Sequence, residues 1–524
     1  MTASSAAGLG HRLGHDPSLA GLVRRWSDSR PDAPALTCDG TTRSWRELVE
    51  RCSRLAQGLR SAGVEPGDRV AFLGQNTPEY FELLFGGSMA GAVTTAVNWR
   101  LAPREIAHVL AHSGATLLVV EADLADTVAG LGDRLPALRS VVTVGEHYET
   151  WLAGHPPVDP RVPVTADATA LLMYTSGTTG RPKGVMFSNQ AFAANLDMAG
   201  LTRVTAESRA LVAMPLFHSA GTSFGVMALG SGAHTVVARE AKASVLLDLL
   251  ERWRVTTTML VPTVLQAMVE TPDVAERDLA ALDTIVYAAS PISPDLLSRC
   301  LDTFSARLLQ NYGLTETQCA TVLVHEDHVD SARPELLESA GRPLPTSTVR
   351  VTDPAGAPCA EGVVGEIRVR ARTAMQGYWN DPVQTAEVLD PEGFVRTGDA
   401  GYLRDGYLYL CDRIKDMIVS GAENVYPIEV ENVLADHPGV HDVAVIGVPS
   451  DRWGETVLAI VVRAADRPEL DADALIAFAR ERLAAYKCPT RVEFAPELPR
   501  NPSGKVLKRV LREPFWEGRL RRIG

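Results

Sequence analysis

Cysteine is scarce and scattered in this 524-residue chain. Cys38, Cys52, Cys300, Cys319, Cys359, Cys411 and Cys488 are odd in number and never form a C-x-x-C pair. That usage argues against a disulfide framework and a zinc ribbon, and points to a reducing compartment. Long apolar runs are also missing: none reaches the ~18 residues of a membrane span. The longest candidate, Phe85 to Val97, is interrupted by Gly86, Gly87 and Gly91 and reads as a closely packed buried helix. The first residues carry His11 and Arg12 but no hydrophobic stretch, which is not a signal-peptide pattern, so a cytoplasmic protein is expected. Positive charge is in deficit, with a net charge of −13, which disfavours a nucleic-acid partner. Internal repeats are absent. Hydrophobic residues make up 46% and charged residues 22%, an ordinary soluble globular balance. The length predicts ~3 or 4 compact units.

What is present is, first, a stretch of small residues. Tyr174-Thr175-Ser176-Gly177-Thr178-Thr179-Gly180-Arg181-Pro182-Lys183-Gly184 follows Ala170 to Met173, which reads as a buried strand. Glycines let the backbone approach a ligand closely, and successive N–H groups and hydroxyls offer donors to phosphate oxygens. A strand running into a glycine-rich loop is where α/β proteins bind nucleotides. The loop is not a Walker P-loop, because Lys183 is followed by Gly184 rather than Ser or Thr.

Helical and strand patterns alternate around it. Trp45 to Leu55 has helical spacing, Arg69 to Leu73 and Ala115 to Val120 read as buried strands, and Pro103 opens a helix that ends at Gly114. Strands apolar on both faces and separated by helices predict parallel sheets covered on both sides. Short strands at Thr348–Thr352 and Gly365–Arg370 suggest a small β unit. The charged stretch Asp412-Arg413-Ile414-Lys415-Asp416 marks a boundary between residues 1–412 and 413–524. The second part predicts a helix from Pro427, strands at Val443–Ile446 and Val457–Val462, and a helix from Asp471 to Ala485. It ends in a cationic run, from Lys505 through Lys508, Arg509 and Arg512 to Arg522, either a contact for a polyanion or a solvated helix face.

Three further motifs carry chemistry. Asn311-Tyr312-Gly313-Leu314-Thr315-Glu316-Thr317 follows a short strand at Ala306–Gln310. Tyr312 can stack on a base, Thr315 can donate to a phosphate, and Glu316 suits Mg²⁺, which takes carboxylate plus phosphate oxygens; the alternative is a capped turn. Asp399, in Arg396-Thr397-Gly398-Asp399, sits in a predicted tight turn. A carboxylate there can accept both O–H bonds of a ribose diol, with Arg413 in reach of the same ribose or the α-phosphate; the alternative is a surface Arg–Asp pair. Lys505 ends Leu498-Pro-Arg-Asn-Pro-Ser-Gly-Lys505, a shaped loop that offers a lysine rigidly.

Other strings are discarded. Gly221-Thr222-Ser223-Phe224-Gly225 fits an esterase pattern but lacks the preceding strand. Gly8 to Gly14 has the wrong spacing for a dinucleotide fingerprint. His325-Glu-Asp-His328 reads as a solvated loop rather than a metal cluster.

Four motifs in order, between residues 174 and 505, resemble the adenylate-forming superfamily, which includes acyl- and aryl-CoA synthetases, luciferases and peptide-synthetase adenylation domains. The resemblance is strongest to the AMP-forming acid–CoA ligases. It implies a large N-terminal part of two α/β subdomains and a small β-barrel, plus a smaller mobile α+β C-terminal domain. It also implies two steps: acid plus ATP gives acyl-adenylate and pyrophosphate, then coenzyme A displaces AMP. By the same pattern, Thr175, Ser176, Gly177, Thr178, Thr179, Lys183, Ala289, Ser290, Asn311, Tyr312, Gly313, Thr315, Asp399, Arg413 and Lys505 handle ATP. Glu316 holds Mg²⁺, and Lys415 is the hinge. Thr175, Glu316, Lys505 and His218, from Met214-Pro-Leu-Phe-His218, are the catalytic set.

The acyl pocket would be lined by His218, Ser219, Gly221, Ala288 and Gly313. Relatives often carry Gly-Gly where this chain has Ala288-Ala289. Small residues leave volume, so a sizeable apolar acid is expected, of medium or long chain or bulky and cyclic. No cation is evident to greet a second carboxylate. Coenzyme A would meet Gly421, Ala422, Glu423, Trp453, Tyr486 and Lys487. The family usually has Gly-Gly at Gly421-Ala422, and Cys488 and Thr490 replace basic residues. Those departures keep open a partial-reaction enzyme, serving a carrier protein or thiolating a supplied adenylate. A serine hydrolase on Ser223 is the alternative from another class. A homodimer is compatible with this reading.

Overall fold

The structure is a computed structural model. It describes every residue except 1–15, 176–181, 290, 291, 293, 414, 415, 421, 422, 451–453, 484, 501–505 and 518–524. The strings Gly8–Gly14 and Arg519–Arg522 therefore lie outside the described residues.

Two large sheets form the N-terminal part, as the apolar strands predict. The first has seven strands. Ser140–Thr143, Ala115–Val120, Arg69–Leu73, Val93–Val97 and Thr169–Thr175 run parallel, followed by antiparallel Lys183–Ser188 and Gly377–Tyr378. The second has nine strands. Its parallel centre places Thr284–Ala288 between Thr257–Leu260 and Arg307–Leu314, and Gln318–Leu323 returns antiparallel on the far side.

Residues of both sheets share one hydrophobic cluster with two helices, Pro78–Met89 and Ser219–Gly230. Every residue of Pro78–Met89 is buried, which explains its lack of an amphipathic pattern. Tyr80 and Thr222 join the two helices through their hydroxyls at 2.7 Å. Burying Glu82 on that helix is tolerated because Arg51 donates to it at 2.6 Å and Tyr148 at 2.7 Å.

The stretch from Phe85 to Val97 is not the single helix expected. The helix ends at Met89, Gly91 turns the chain at φ 74°, and Val93–Val97 is a buried strand. Continuous hydrophobicity does not separate these cases, since buried helices and parallel strands are apolar on all faces. The predicted helix over Pro103–Ser113 is present and closes on Gly114 at φ 65°.

The small β unit is an antiparallel sheet of four strands: Ser347–Thr352, Gly365–Ala371, Val395–Arg404 and Tyr407–Arg413. The C-terminal sheet has five strands, with Val440–Ser450 and Gly454–Arg463 as its long antiparallel pair and Arg491–Phe494 added in parallel to the latter. Its helix starts where expected, with Asp471 accepting from the Ala474 amide at 2.8 Å, but runs only Ala472–Arg480. The start of the basic run is not simply solvated: Lys508 pairs with Glu431 at 2.9 Å and Arg512 with Asp416 at 2.5 Å.

Candidate active site

Strand Thr169–Thr175 carries the chain out of the buried first sheet, and Lys183–Ser188 brings it back with Lys183 opposite Thr175. Of the candidate loop residues, Ser176, Gly177, Thr178 and Thr179 lie outside the described residues. Lys183 Nζ stands 5.0 Å from the centre of the Tyr378 ring, a cation–π arrangement. Tyr378 donates its hydroxyl to Glu316 Oε1 at 2.8 Å. Burial first, and the charge of Glu316 next, push the Tyr378 phenol well above its ordinary value, so it stays a donor. The Met375 amide holds the Glu316 carbonyl at 2.8 Å. A lysine and a carboxylate 133 positions apart (316 − 183) are thus brought to one tyrosine, the lysine at its ring and the carboxylate at its hydroxyl.

Asn311, Tyr312 and Gly313 lie inside strand Arg307–Leu314 rather than after a short strand as the sequence suggested. Asn311 pairs with Ala288 on one side and Val322 on the other. Its Oδ1 is buried and has no partner among the described residues. Gly313 is required by the backbone: a Cβ there would stand 1.7 Å from the Gln318 carbonyl oxygen. Tyr312 donates to Asp399 Oδ2 at 2.8 Å. Asp399 is not in a tight turn; it lies in strand Val395–Arg404, opposite Arg413, with Gly398 before it at φ 69°. Only the backbone of Arg413 is described. Ala289 leaves the adjacent strand at φ 74°, left-handed territory that alanine seldom enters.

His218 precedes helix Ser219–Gly230. The approach to it is pinned by Asn76, which donates to the Met214 carbonyl at 3.1 Å and accepts from the Leu216 amide at 2.9 Å. The His218 ring packs on Phe217, 4.5 Å between centres. Burial, helped by the charge of Arg100, brings its pKa down to about 4, so the imidazole is neutral at pH 7. Its Nε2 is buried without a partner among the described residues.

Ser219, Ala220 and Ser223 of this helix are only partly buried. Gly221 faces away, where a Cβ would come within 2.4 Å of the Pro215 carbonyl. Its smallness, like that of Gly313, serves backbone packing rather than pocket volume. Ser223 is in mid-helix and donates to Gln318 Oε1 at 2.8 Å, which is not a nucleophile elbow. His328 is buried and not solvated: it accepts from the Tyr287 hydroxyl at 2.9 Å through Nε2 and donates to the Val324 carbonyl at 2.8 Å through Nδ1.

In the C-terminal part, Tyr486 is 42% exposed. Lys487 forms an ion pair with Glu429 at 2.6 Å, and Cys488 is buried. Glu423 is described by its backbone alone, paired with Ser420. Ser290, Lys415, Gly421, Ala422, Trp453 and Lys505 lie outside the described residues.

Two side chains that organise the site were not singled out in the sequence. Tyr378 had a signal, since Gly377-Tyr378-Trp379 places two aromatics together in a chain only 6% aromatic. Gln318 had none. Around Glu316, no group of three or more potential metal ligands occurs among the described residues. A single carboxylate, Glu316, fits Mg²⁺, which keeps most of its waters and takes substrate phosphates as partners. Among the described residues, no helix is long and apolar enough to cross a membrane.

The chain matches the AMP-binding enzyme family over residues 23–379 and the AMP-binding enzyme C-terminal domain over residues 429–505. It is 39% identical over 522 residues to the fatty acid–[acyl-carrier-protein] ligase ScoC of Streptomyces coeruleorubidus, covering 97% of this chain and 99% of that protein. A feruloyl-CoA synthase from an Amycolatopsis species is 42% identical over 492 residues, 93% of this chain and 96% of its own. Among solved structures, ATP-bound MatB from Rhodopseudomonas palustris superposes with a TM-score of 0.87 at 30% identity, over 95% of this chain and 99% of that one. The chain belongs to the AMP-binding enzyme family and is an adenylate-forming acid–thiol ligase of the acyl- and aryl-CoA synthetase type.

Proposed function

We propose that this enzyme joins a sizeable, largely apolar carboxylic acid to coenzyme A in two steps. In the first, a carboxylate oxygen attacks the α-phosphorus of ATP. The new P–O bond replaces the bridge to the β-phosphate, and pyrophosphate leaves. In the second, the thiolate of coenzyme A attacks the acyl carbon and AMP departs with the anhydride oxygen. The observation that carries the reading is the convergence of Lys183 and Glu316 on Tyr378, with Asp399 held by Tyr312 on the same strand that leads to Glu316.

Each role follows from chemistry. Thr175, Ser176, Gly177, Thr178, Thr179, Thr315 and Lys183 bind phosphate oxygens. Asp399 and Arg413 hold the ribose. Asn311 Oδ1, unpartnered among the described residues, accepts from the adenine amino group beside Tyr312, Gly313, Ala289 and Ser290. Glu316 would hold Mg²⁺, which draws charge from the phosphates when bound. The carboxylate and α-phosphate repel each other by roughly 4 kcal/mol per charge pair at ~4 Å and an effective dielectric of ~20. Lys505 bridges the two anions and offsets that repulsion. Neutral His218 lies by the carboxylate without adding charge.

The domain boundary falls at residues 412/413 and Lys415 is the hinge. Rotation there withdraws Lys505 after adenylation and brings Gly421, Ala422, Glu423, Trp453, Tyr486 and Lys487 to the thiol donor. With Gly221 and Gly313 needed for packing, the room for the acid comes from Ser219, Ala220 and Ala288, and similarity to a feruloyl-CoA synthase supports a bulky acid.

Delivery to a carrier protein is the second reading. Lys487 is already neutralised by Glu429, which weakens it as a partner for the phosphates of coenzyme A, and the similarity to ScoC points the same way. Lys505→Ala tests the division of labour. Acid-dependent ATP–pyrophosphate exchange should disappear while thioester formation from supplied acyl-adenylate persists. Equal loss of both half-reactions would overturn it.

A further inference from the structure

Gln318, two residues after Glu316, is 5% exposed and sits at φ 53°, a conformation glutamine seldom adopts. Its Oε1 accepts two hydrogen bonds, from Asn195 Nδ2 at 2.5 Å and from Ser223 Oγ at 2.8 Å. Both acceptor positions are thereby used. Reversing this amide alone would set one nitrogen donor against another at Asn195. Nε2, with two N–H donors, is buried and has no partner among the described residues. An unmade buried donor costs ~1–3 kcal/mol. Such a penalty, added to a strained backbone, is characteristic of positions that serve a ligand.

The surroundings say which ligand. Ser223 lies one turn beyond Ser219, on the face of helix Ser219–Gly230 that stays partly open, while Gly221, Thr222 and Phe224 are buried. That helix begins at His218, whose own Nε2 is buried and unpartnered among the described residues. The neighbour of Gln318, Cys319, is partly buried, and burial keeps its thiol protonated, with a pKa pushed up to about 12. The amide donor is therefore enclosed behind the partly open face of that helix, next to Ser223 and one turn from Ser219.

We propose that Gln318 is a specificity-determining residue whose Nε2 donates to an acceptor oxygen on the body of the acid, away from its carboxylate. The inference rests on the ligase reading above and narrows it. The preferred acids are apolar frameworks bearing an ether, carbonyl or hydroxyl oxygen, rather than plain hydrocarbons. A site built to hydrogen-bond one group rejects an analogue lacking it, because the protein donor is then left unpaired. Asn195 and Ser223 act as positioning residues that orient the amide.

The test uses acids matched in size: para-methoxycinnamate against para-ethylcinnamate, and para-acetylphenylacetate against para-isopropylphenylacetate. Binding to the full-length protein is read by titration calorimetry, and acyl-CoA formation is followed separately. In at least one pair the oxygenated acid should bind about tenfold more tightly. Gln318→Met should bring that ratio within about twofold by weakening the oxygenated acid and strengthening its partner. Ser223→Ala, which leaves Nε2 in place but frees one anchor, should give an intermediate ratio and serves if Gln318→Met does not fold. A wild-type protein that binds neither oxygenated acid more tightly than its partner overturns the proposal, as does a ratio unmoved by both variants. Because the ratio is read from binding, it stands apart from turnover: acid binding without acyl-CoA or acyl-adenylate would count against the ligase reading alone.

Discussion

Tyr312 donates its phenolic hydrogen to Asp399 at 2.8 Å, across 87 positions of sequence, and both residues are buried. The bond ties the strand that leads to Glu316 to the antiparallel sheet that carries Arg413 at its end. That bond fixes one oxygen of the carboxylate for which a ribose role is proposed.

Asp399→Asn should therefore remove the preference for ATP over 2′-deoxyATP, while Tyr312→Phe should raise the KM for ATP about tenfold, as loss of a hydrogen bond to a charged group implies. Steady-state kinetics with the two nucleotides checks both. An Asp399→Asn enzyme that still discriminates would show that the carboxylate is not the ribose acceptor.

Tyr378→Phe keeps the ring beside Lys183 but deletes the donor to Glu316. Adenylation should fall about tenfold or more, and the Mg²⁺ concentration for half-maximal rate should rise. An unchanged Mg²⁺ dependence would separate Glu316 from the metal.

Ala289 at φ 74° occupies a conformation that disfavours an L-residue by ~1–2 kcal/mol. Glycine removes that strain at a cost of ~0.5–1 kcal/mol in chain entropy. Ala289→Gly should thus stabilise the protein by up to about 1 kcal/mol, seen as a higher urea midpoint. A lower midpoint would contradict the strain.

His218, His234 and His328 are each held to a pKa of about 4, mainly by burial. An unfolded imidazole titrates near ~6.5. Between these values the unfolded chain binds the proton and the folded chain does not. These three sites therefore withdraw stability as pH falls from ~6.5 to ~4, by up to about 4 kcal/mol per pH unit together. They contribute no slope above pH ~7. Urea midpoints measured from pH 8 to pH 4.5 check this, and a flat profile to the acid end would refute it.

The parallel sheets were readable because apolar strands and capped helices leave local patterns, as Ala115–Val120 and Pro103–Ser113 did. The phosphate-loop reading came from consecutive Gly, Ser and Thr, residues that lie mostly outside the described ones. What local pattern did not carry was pairing at a distance. The hydrogen bond from Tyr378 to Glu316 spans 62 positions and that from Ser223 to Gln318 spans 95. Asn311 and Asp399 were expected outside strands because polar and small residues interrupt the apolar alternation that marks a strand. The glycines misled in a different way. Gly221 and Gly313 suggested pocket volume, whereas close backbone carbonyls dictate them.

The central claim is that one chain performs both adenylation and thiol transfer. Incubating the protein with Mg-ATP and a panel of bulky carboxylic acids, with and without coenzyme A, and weighing the products by mass spectrometry tests it most directly. The account predicts acyl-CoA, AMP and pyrophosphate only when acid, ATP and coenzyme A are all present, and acyl-adenylate when coenzyme A is withheld. Acyl-adenylate that accumulates unchanged in the presence of coenzyme A would contradict it.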